Sequence, residues 1–133
     1  MIIIYQARDS FLPVIAGNIH LDGEINQNTK KWFDEQNWRK QPLKYIGKDH
    51  FGNIICCLAY TRFKDLYNYA LTGISDIFQI QIKLIDVESI IKTEASSHLK
   101  MATCLNLIHL ISFFYPRMLS ELQDVLRKNV SSQ

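Results

Sequence analysis

Four polar side chains of this chain stand where α/β folds often bind an anion. Arg8 and Ser10 follow one apolar stretch, Arg62 follows a second, and Asp86 ends a third. If these stretches are neighbouring parallel strands, their carboxyl ends meet at one sheet edge, where such sheets bind ligands. Arg8 and Arg62 would then converge on an anion such as phosphate. We therefore take these four residues as the candidate ligand-binding set.

The loop after the first strand is a poor phosphate cradle. A helix that begins after Ser10 would offer free N–H groups and its positive dipole end to an anion. However, residues 7–13 contain no glycine that lets the backbone approach a phosphate, and Pro13 removes one donor. An ordinary helix start capped by Ser10 is therefore the favoured interpretation. For Asp86, too, a helix start is favoured over a chemical role.

The cysteines and two of the histidines do not form a metal site. His98 and His109 would lie about 16 Å apart along one helix, which is too far to share an ion. Cys56 and Cys57 are adjacent in a predicted strand, so they point to opposite faces and are expected to be buried thiols. For Glu94 and His98, four residues apart, a surface hydrogen bond is favoured over a ligand pair. We expect no metal, no cofactor and no catalytic residue.

The other two histidines have structural interpretations. His20 lies at the end of the predicted first helix, where a positive charge is favourable, and His50 lies in a predicted loop and is expected to be solvated. No Ser/His/Asp or Cys/His triad can be assembled from the spacing alone.

The elements that must position these residues alternate between strands and helices. Continuously apolar runs predict buried strands, and Gly47 and Gly52 bound a hairpin loop. A strand that returns after a helix favours a right-handed parallel crossover. The predicted strands are residues 2–6, 43–46, 53–60 and 80–86, and the predicted helices are 11–21, 30–40, 62–78, 98–115 and 118–126. Residues 87–97 are either a further short helix or part loop.

The order β-α-α-β-β-α-β-α-α predicts one α/β domain over residues 1–133. Its sheet is expected to be small, mixed and largely parallel, with about four strands and helices packed on it. The helix over 62–78 has the clearest pattern, because its apolar residues recur at the helical period. We expect that stripe to pack on the sheet, with polar residues such as Lys64, Asn68 and Ser75 on the outer face.

The predicted helix over 98–115 has no polar face. Its polar residues recur every three positions, so they spiral around the helix axis. Most of its surface must be covered, either by the rest of the domain or by a second copy. We therefore take Leu107, Ile111 and Phe114 as candidate interface residues.

The composition limits the classes of partner. With 15 basic and 13 acidic residues, the formal net charge of +2 is too balanced to indicate a nucleic-acid partner. No apolar stretch is long enough for a membrane span, and the first residues lack the pattern of a signal peptide. These features predict a cytoplasmic protein with no membrane or nucleic-acid partner.

Three stretches carry a resemblance to a known family. They are MIIIYQ with VIAGNIHL, YIGKDHFGNIICCL, and YALTGISDIFQI with IKLIDV, all within residues 1–87. In their order and spacing they resemble domain of unknown function 3189, a family of short uncharacterised proteins of spore-forming Firmicutes. The family usually has a Gly-rich loop after the first strand, with a His and a Ser near the helix start. Residues 7–13 lack Gly and His, so a ligand site in that loop would be lost or changed here.

These sequence features are compatible with two functions. The leading hypothesis is a non-catalytic protein-interaction or regulatory protein, linked to sporulation, whose partner is another protein or a second copy. It is motivated by the unsuitable first loop and by the helix without a polar face. The alternative is a small phosphate- or nucleotide-binding enzyme with its site at the carboxyl ends of the strands.

Overall fold

The computed structural model describes residues 1–8, 10–23, 27–36, 38, 40–60, 63–94 and 116–130. Arg62 and the predicted interface residues Leu107, Ile111 and Phe114 lie outside these ranges. Strands and helices alternate in the predicted order, which confirms the α/β class. The described elements are β1 (Ile2–Ala7), α1 (Phe11–Asp22), α2 (Gln27–Glu35), β2 (Leu43–Lys48), β3 (Ile54–Ala59), α3 (Lys64–Phe78), β4 (Ile82–Asp86), α4 (Val87–Glu94) and α5 (Pro116–Val130).

The strands form one mixed sheet in the order β2-β3-β1-β4. β1 pairs in parallel with both β3 and β4, while β2 pairs antiparallel with β3. The register aligns Ala7 with Ala59, and Gln6 with Asp86. The three parallel strands therefore end at a common edge, as the sequence predicts.

The core lies on the face of the sheet that carries Tyr5. Helices α1, α4 and α5 pack together on this side, and α1 also contacts β1, β2 and β3. Gly17 of α1 permits the close approach, because a β-carbon there would lie 2.4 Å from Cδ1 of Ile46. The largest fully buried side chains around this face include Tyr5, Phe11, Leu12, Ile15, Ile55, Ile91, Leu122 and Leu126.

Helix α3 is associated with β4, and its observed rotation contradicts the sequence-based expectation. Lys64 forms an ion pair with Asp86. Asn68 has a buried Oδ1 atom, and Ser75 lines a cavity of about 110 Å³ together with Ile82 and Leu84. In this rotation Lys64, Asn68 and Ser75 lie on the side of α3 that faces β4.

The apolar stripe of α3 consequently points away from the sheet. Six large apolar side chains on or just before the helix are between 44 and 77 % exposed: Phe63, Leu66, Tyr69, Ile74, Ile77 and Phe78. We call these six residues the α3 face. Leu71 and Tyr67, which belong to the predicted stripe, are half-buried. No helix within the described ranges is long and apolar enough to cross a membrane.

Candidate functional site

The carboxyl edge of the parallel strands brings together two of the predicted site residues. Arg8 follows β1 and Asp86 ends β4, so the crossovers place both at this edge. Ser10 occupies the N-cap position of α1, but its side chain makes no capping hydrogen bond. Arg62 lies outside the described residues, so its expected convergence with Arg8 stays a prediction.

Arg8 is paired with a buried carboxylate that the sequence alone did not connect to it. Glu88 is in the first turn of α4, and its side chain is 6 % exposed. Its Oε1 accepts a hydrogen bond from the Arg8 backbone N–H at 2.7 Å, and its Oε2 lies 3.5 Å from Arg8 Nε. Lys92 Nζ is 4.0 Å from the same Oε2. The charge of Arg8 is therefore largely compensated within the fold.

Asp86 acts as the start of α4, which was the favoured interpretation. Its Oδ1 accepts a hydrogen bond of 3.3 Å from the backbone N–H of Ser89, three residues later. This is the geometry of a helix N-cap, and the negative charge suits the positive end of the helix dipole. Its other oxygen, Oδ2, accepts a hydrogen bond from Lys64 Nζ. Both oxygens of Asp86 therefore have structural partners.

Tyr60 completes the described part of this edge. Its ring lies 5.6 Å from Lys64 Nζ, a distance typical of a cation–π contact. Burial, together with the charges of Asp86 and Glu88, raises the pKa of this phenol well above its usual value. Tyr60 is therefore a neutral phenol at physiological pH.

Two buried amide oxygens near this edge lack a hydrogen-bond partner. They are Oε1 of Gln6, which is aligned with Asp86 in the sheet, and Oδ1 of Asn68, one helical turn after Lys64. An amide oxygen accepts hydrogen bonds, and a fully ionised phosphate has none to donate. These two groups therefore do not favour an anion at this place.

The amino-terminal edge of the sheet holds a hydrogen-bonded chain of three side chains. The hydroxyl of Tyr5 lies 2.6 Å from Nδ1 of His20, and Nε2 of His20 lies 3.0 Å from Oδ2 of Asp49. The rings of Tyr5 and His20 meet edge to face, with centroids 5.9 Å apart. A carboxylate only accepts hydrogen bonds, so Nε2 carries a proton, and with a neutral ring Tyr5 donates to Nδ1.

Asp49 is held by the hairpin loop between β2 and β3. Oδ1 accepts the backbone N–H groups of Phe51 at 3.0 Å and Asn53 at 2.8 Å, and Oδ2 accepts the Asn53 side-chain amide at 3.0 Å. Hydrogen bonds from Asn53, His20 and Phe51 outweigh desolvation, which alone would raise the pKa, and hold the pKa of this carboxyl well below its usual value. Asp49 therefore stays ionised and bridges the loop to α1.

A cleft of about 370 Å³ opens beside this chain, and we call it the His20 cleft. Its apolar lining comes from the first strand, α1, the hairpin loop and α5: Met1, Ile3, Ile19, Phe51 and Val130. Its polar lining comes from His20, Gly23, Asp49, His50, Asn53 and Arg127. A mostly apolar cleft of this size with a few polar groups is typical of small-molecule sites.

The His20 cleft is absent from the sequence-based predictions because its parts are distant along the chain. His20 and Asp49 are 29 residues apart, and Arg127 contacts Gly23 across 104 residues. The available signals were His20 at a helix end and Asp49 at a hairpin turn. His50 is exposed, as expected, and its ring contacts that of Phe51.

The described residues contain no cluster of side chains that could bind a metal ion. Within the described ranges, no three His, Cys, Asp or Glu side chains gather as a metal ion requires. Burial raises the pKa of the Cys57 thiol to about 12 and also raises the pKa of Cys56. Both thiols are therefore protonated at neutral pH, which makes them weak nucleophiles.

Comparisons of the chain with models of protein families, with curated proteins and with solved structures find no match. The resemblance to domain of unknown function 3189 accordingly stays a prediction based on three stretches of sequence.

Proposed function

We propose that this protein works by protein–protein association, and that the partner on the α3 face is a second copy of the chain. The observation that carries the proposal is the outward rotation of α3, which exposes its six large apolar side chains. Exposed apolar patches of this extent on soluble proteins are typical of interaction surfaces. The expected cytoplasmic location and the sporulation link belong to this proposal as sequence-based predictions.

The area of the α3 face suits a dimer. A large apolar side chain presents roughly 150–200 Å² when fully exposed, so six side chains at the observed exposures offer about 600–800 Å². A stable interface buries about 800 Å² on each partner. The α3 face therefore supplies most of the surface that a stable dimer needs.

The shape of the α3 face supports a second copy as the occupant. Leu66, Ala70, Gly73 and Ile77 follow one line along α3, with small residues in the middle and large ones towards both ends. Among the residues that the structure describes, nothing outside the backbone of α3 lies within 4 Å of a β-carbon built on Gly73, so a second helix has room to approach there. In an antiparallel pair, Leu66 of each copy would face Ile77 of the other.

Helix dipoles favour the same arrangement. Antiparallel α3 helices place the positive N-terminal end of one copy beside the negative C-terminal end of the other. An interface of this kind is isologous, which closes at two copies and does not continue into a filament. The proposed assembly is therefore a twofold dimer.

Amide hydrogen exchange at two protein concentrations tests this proposal. Raising the protein concentration from low to high micromolar increases the fraction of chains in the dimer. Amide exchange in α3 is expected to slow as that fraction rises. Helix α2 is the internal control, since it lies outside the α3 face, and its exchange is expected to stay the same. Equal α3 exchange at both concentrations, with a concentration effect in another segment, would contradict the proposed surface.

The alternative, a phosphate- or nucleotide-binding enzyme at the carboxyl edge, has less support. Among the described residues there, the cations Arg8, Lys64 and Lys92 contact the carboxylates Asp86 and Glu88. Three cations and two anions leave a charge of +1. The loop after β1 also lacks glycine, so neither its backbone nor the described cations, which are already paired, form a strong phosphate site.

A further inference from the structure

We propose that the His20 cleft binds a small apolar carboxylate, with its carboxylate group on Arg127. This site lies at the amino-terminal edge of the sheet and does not involve the α3 face. Its volume of about 370 Å³ is at the low end for ligand sites, which suits a compact molecule such as an aromatic or branched aliphatic acid.

The floor of the cleft is formed by buried apolar side chains. Ile3 and Ile19 are buried members of the core, and Val130 belongs to the same core cluster. Phe51 is 79 % exposed at the loop side, so its ring is available to cover a ligand. An apolar body placed between these side chains gains from leaving water.

The polar groups on the His20 side already have partners. The four acceptor positions of Asp49 receive Phe51 N–H, Asn53 N–H, the Asn53 amide and His20. Both ring nitrogens of His20 are also engaged, one with Tyr5 and one with Asp49. A ligand amine would have to displace one of these bonds, so this wall disfavours a cationic ligand and acts as a fixed boundary.

Arg127 supplies the polar group that is open to a ligand. Its Nε donates to the carbonyl oxygen of Gly23 at 3.0 Å, at the end of α1, which fixes the side chain at the cleft. Its Nη1 is 3.8 Å from Asp124 Oδ1, but Asp124 is 72 % exposed and the pair is weak in water. Within the described part of the chain, the guanidinium therefore keeps hydrogen-bond donors that suit a carboxylate.

His50 adds an imidazole N–H group that can donate a hydrogen bond to a carboxylate. It lines the cleft and is exposed, with its ring 4.0 Å from that of Phe51. Charge complementarity with Arg127, together with the saturated Asp49, selects an anionic over a cationic ligand. The apolar walls select a carboxylate with an apolar body over inorganic phosphate.

Calorimetric titration with phenylacetate, phenylacetamide and phenethylamine tests this assignment. These probes share one apolar body and differ in charge. Phenylacetate is expected to bind about tenfold tighter than phenylacetamide, because an ionised acceptor on a guanidinium strengthens the hydrogen bonds. Phenethylamine is expected to bind most weakly. Amide shifts in residues 49–53 and at Val130 would place the probe in the His20 cleft.

Two variants separate the role of Arg127 from general charge. Arg127→Gln keeps a donor near Gly23 and is expected to remove the preference for phenylacetate over phenylacetamide. Lys31→Gln removes the same charge at an exposed position of α2 and is expected to preserve it. The assignment is wrong if no probe binds at millimolar concentration, if the amide or amine binds as tightly as the acid, or if Arg127→Gln leaves the preference unchanged.

Discussion

With Leu66 and Ile77 both replaced by lysine, we expect the dimer to dissociate at concentrations where the wild-type chain is associated. Both side chains are well exposed, at 64 and 77 %, so the fold of one copy should tolerate the change. Each buried large apolar side chain contributes about 1.5–3 kcal/mol, and a twofold interface loses four of them. The dissociation constant should therefore rise at least about a thousandfold.

A charge-swapped variant tests the antiparallel arrangement itself. In the variant Leu66→Asp with Ile77→Lys, each new carboxylate would face an ammonium group of the other copy. Part of the lost association should return compared with the double-lysine variant, and added salt should weaken it. Equal dissociation of the two variants would contradict the antiparallel pairing of α3.

The matched control lies on β2, at an edge of the sheet. Leu43 and Tyr45 are 43 and 59 % exposed, and an edge strand is the other surface through which such a fold self-associates. Leu43→Lys with Tyr45→Lys is expected to leave the wild-type mass distribution unchanged. If this control loses association while the α3 variant retains it, the interface lies on β2 and not on the α3 face.

The second large effect is expected from the Tyr5–His20–Asp49 chain. Tyr5→Phe removes a hydroxyl from a fully buried position and leaves His20 Nδ1 without its donor, which should cost about 1–2 kcal/mol of unfolding free energy. Asp49→Asn should destabilise the fold as well, because its NH₂ group would meet donors from the loop or from His20. Urea denaturation measures both changes, with the exposed Tyr45→Phe as the control.

The loss of stability caused by Asp49→Asn is expected to depend on pH, because the Asp49 carboxylate must be ionised to make its contacts. The pKa of Asp49 is lower in the fold than its ordinary value of 3.8, so its stabilisation is present above that value. This stabilisation is lost as the pH falls from about 4 through the lower folded pKa. The stability difference between wild type and Asp49→Asn should therefore shrink on acidification. A difference that is constant or grows below pH 4 would contradict the ionised bridge.

Additivity tests whether the three side chains act as one unit. Tyr5→Phe and Asp49→Asn both act through the imidazole of His20, so the double variant should lose less stability than the sum of the single losses. Full additivity would mean that the two hydrogen bonds contribute independently.

Patterns along the chain predicted the elements well because they depend on near neighbours. The continuous apolar run in β1 predicted a strand buried on both faces, and Ile3, Ile4 and Tyr5 are all at most 3 % exposed. The glycines around residues 47–52 predicted the hairpin, which turns between β2 and β3. Asp86 was favoured as a helix start, and it caps α4.

The rotation of α3 was not predictable from its amphipathic pattern. Periodicity identifies an apolar stripe but not which surface covers it. In the observed rotation Lys64 contacts Asp86, which is 22 residues away, on elements whose relative position follows from the whole sheet. The expectation of a buried stripe assumed that the partner of this helix lies within the same chain.

For the candidate sites, the sequence predicted only which residues lie at the strand ends. Arg8 and Asp86 were correctly placed at one edge, but the pairing of Arg8 with Glu88 spans 80 residues. The bond between His20 and Asp49 likewise depends on how a helix end meets a hairpin loop. Such contacts follow from tertiary packing, for which one sequence carries no local signal.

The mass of the wild-type chain in solution shows whether the α3 face forms a twofold dimer. Sedimentation equilibrium over a range of micromolar concentrations should show the average mass rising from 15.5 kDa towards twice that value, about 31 kDa, and stopping there. A closed twofold contact through the α3 face requires that limit. A mass that stays at 15.5 kDa at the highest concentration, or that rises without limit, would contradict the proposed dimer.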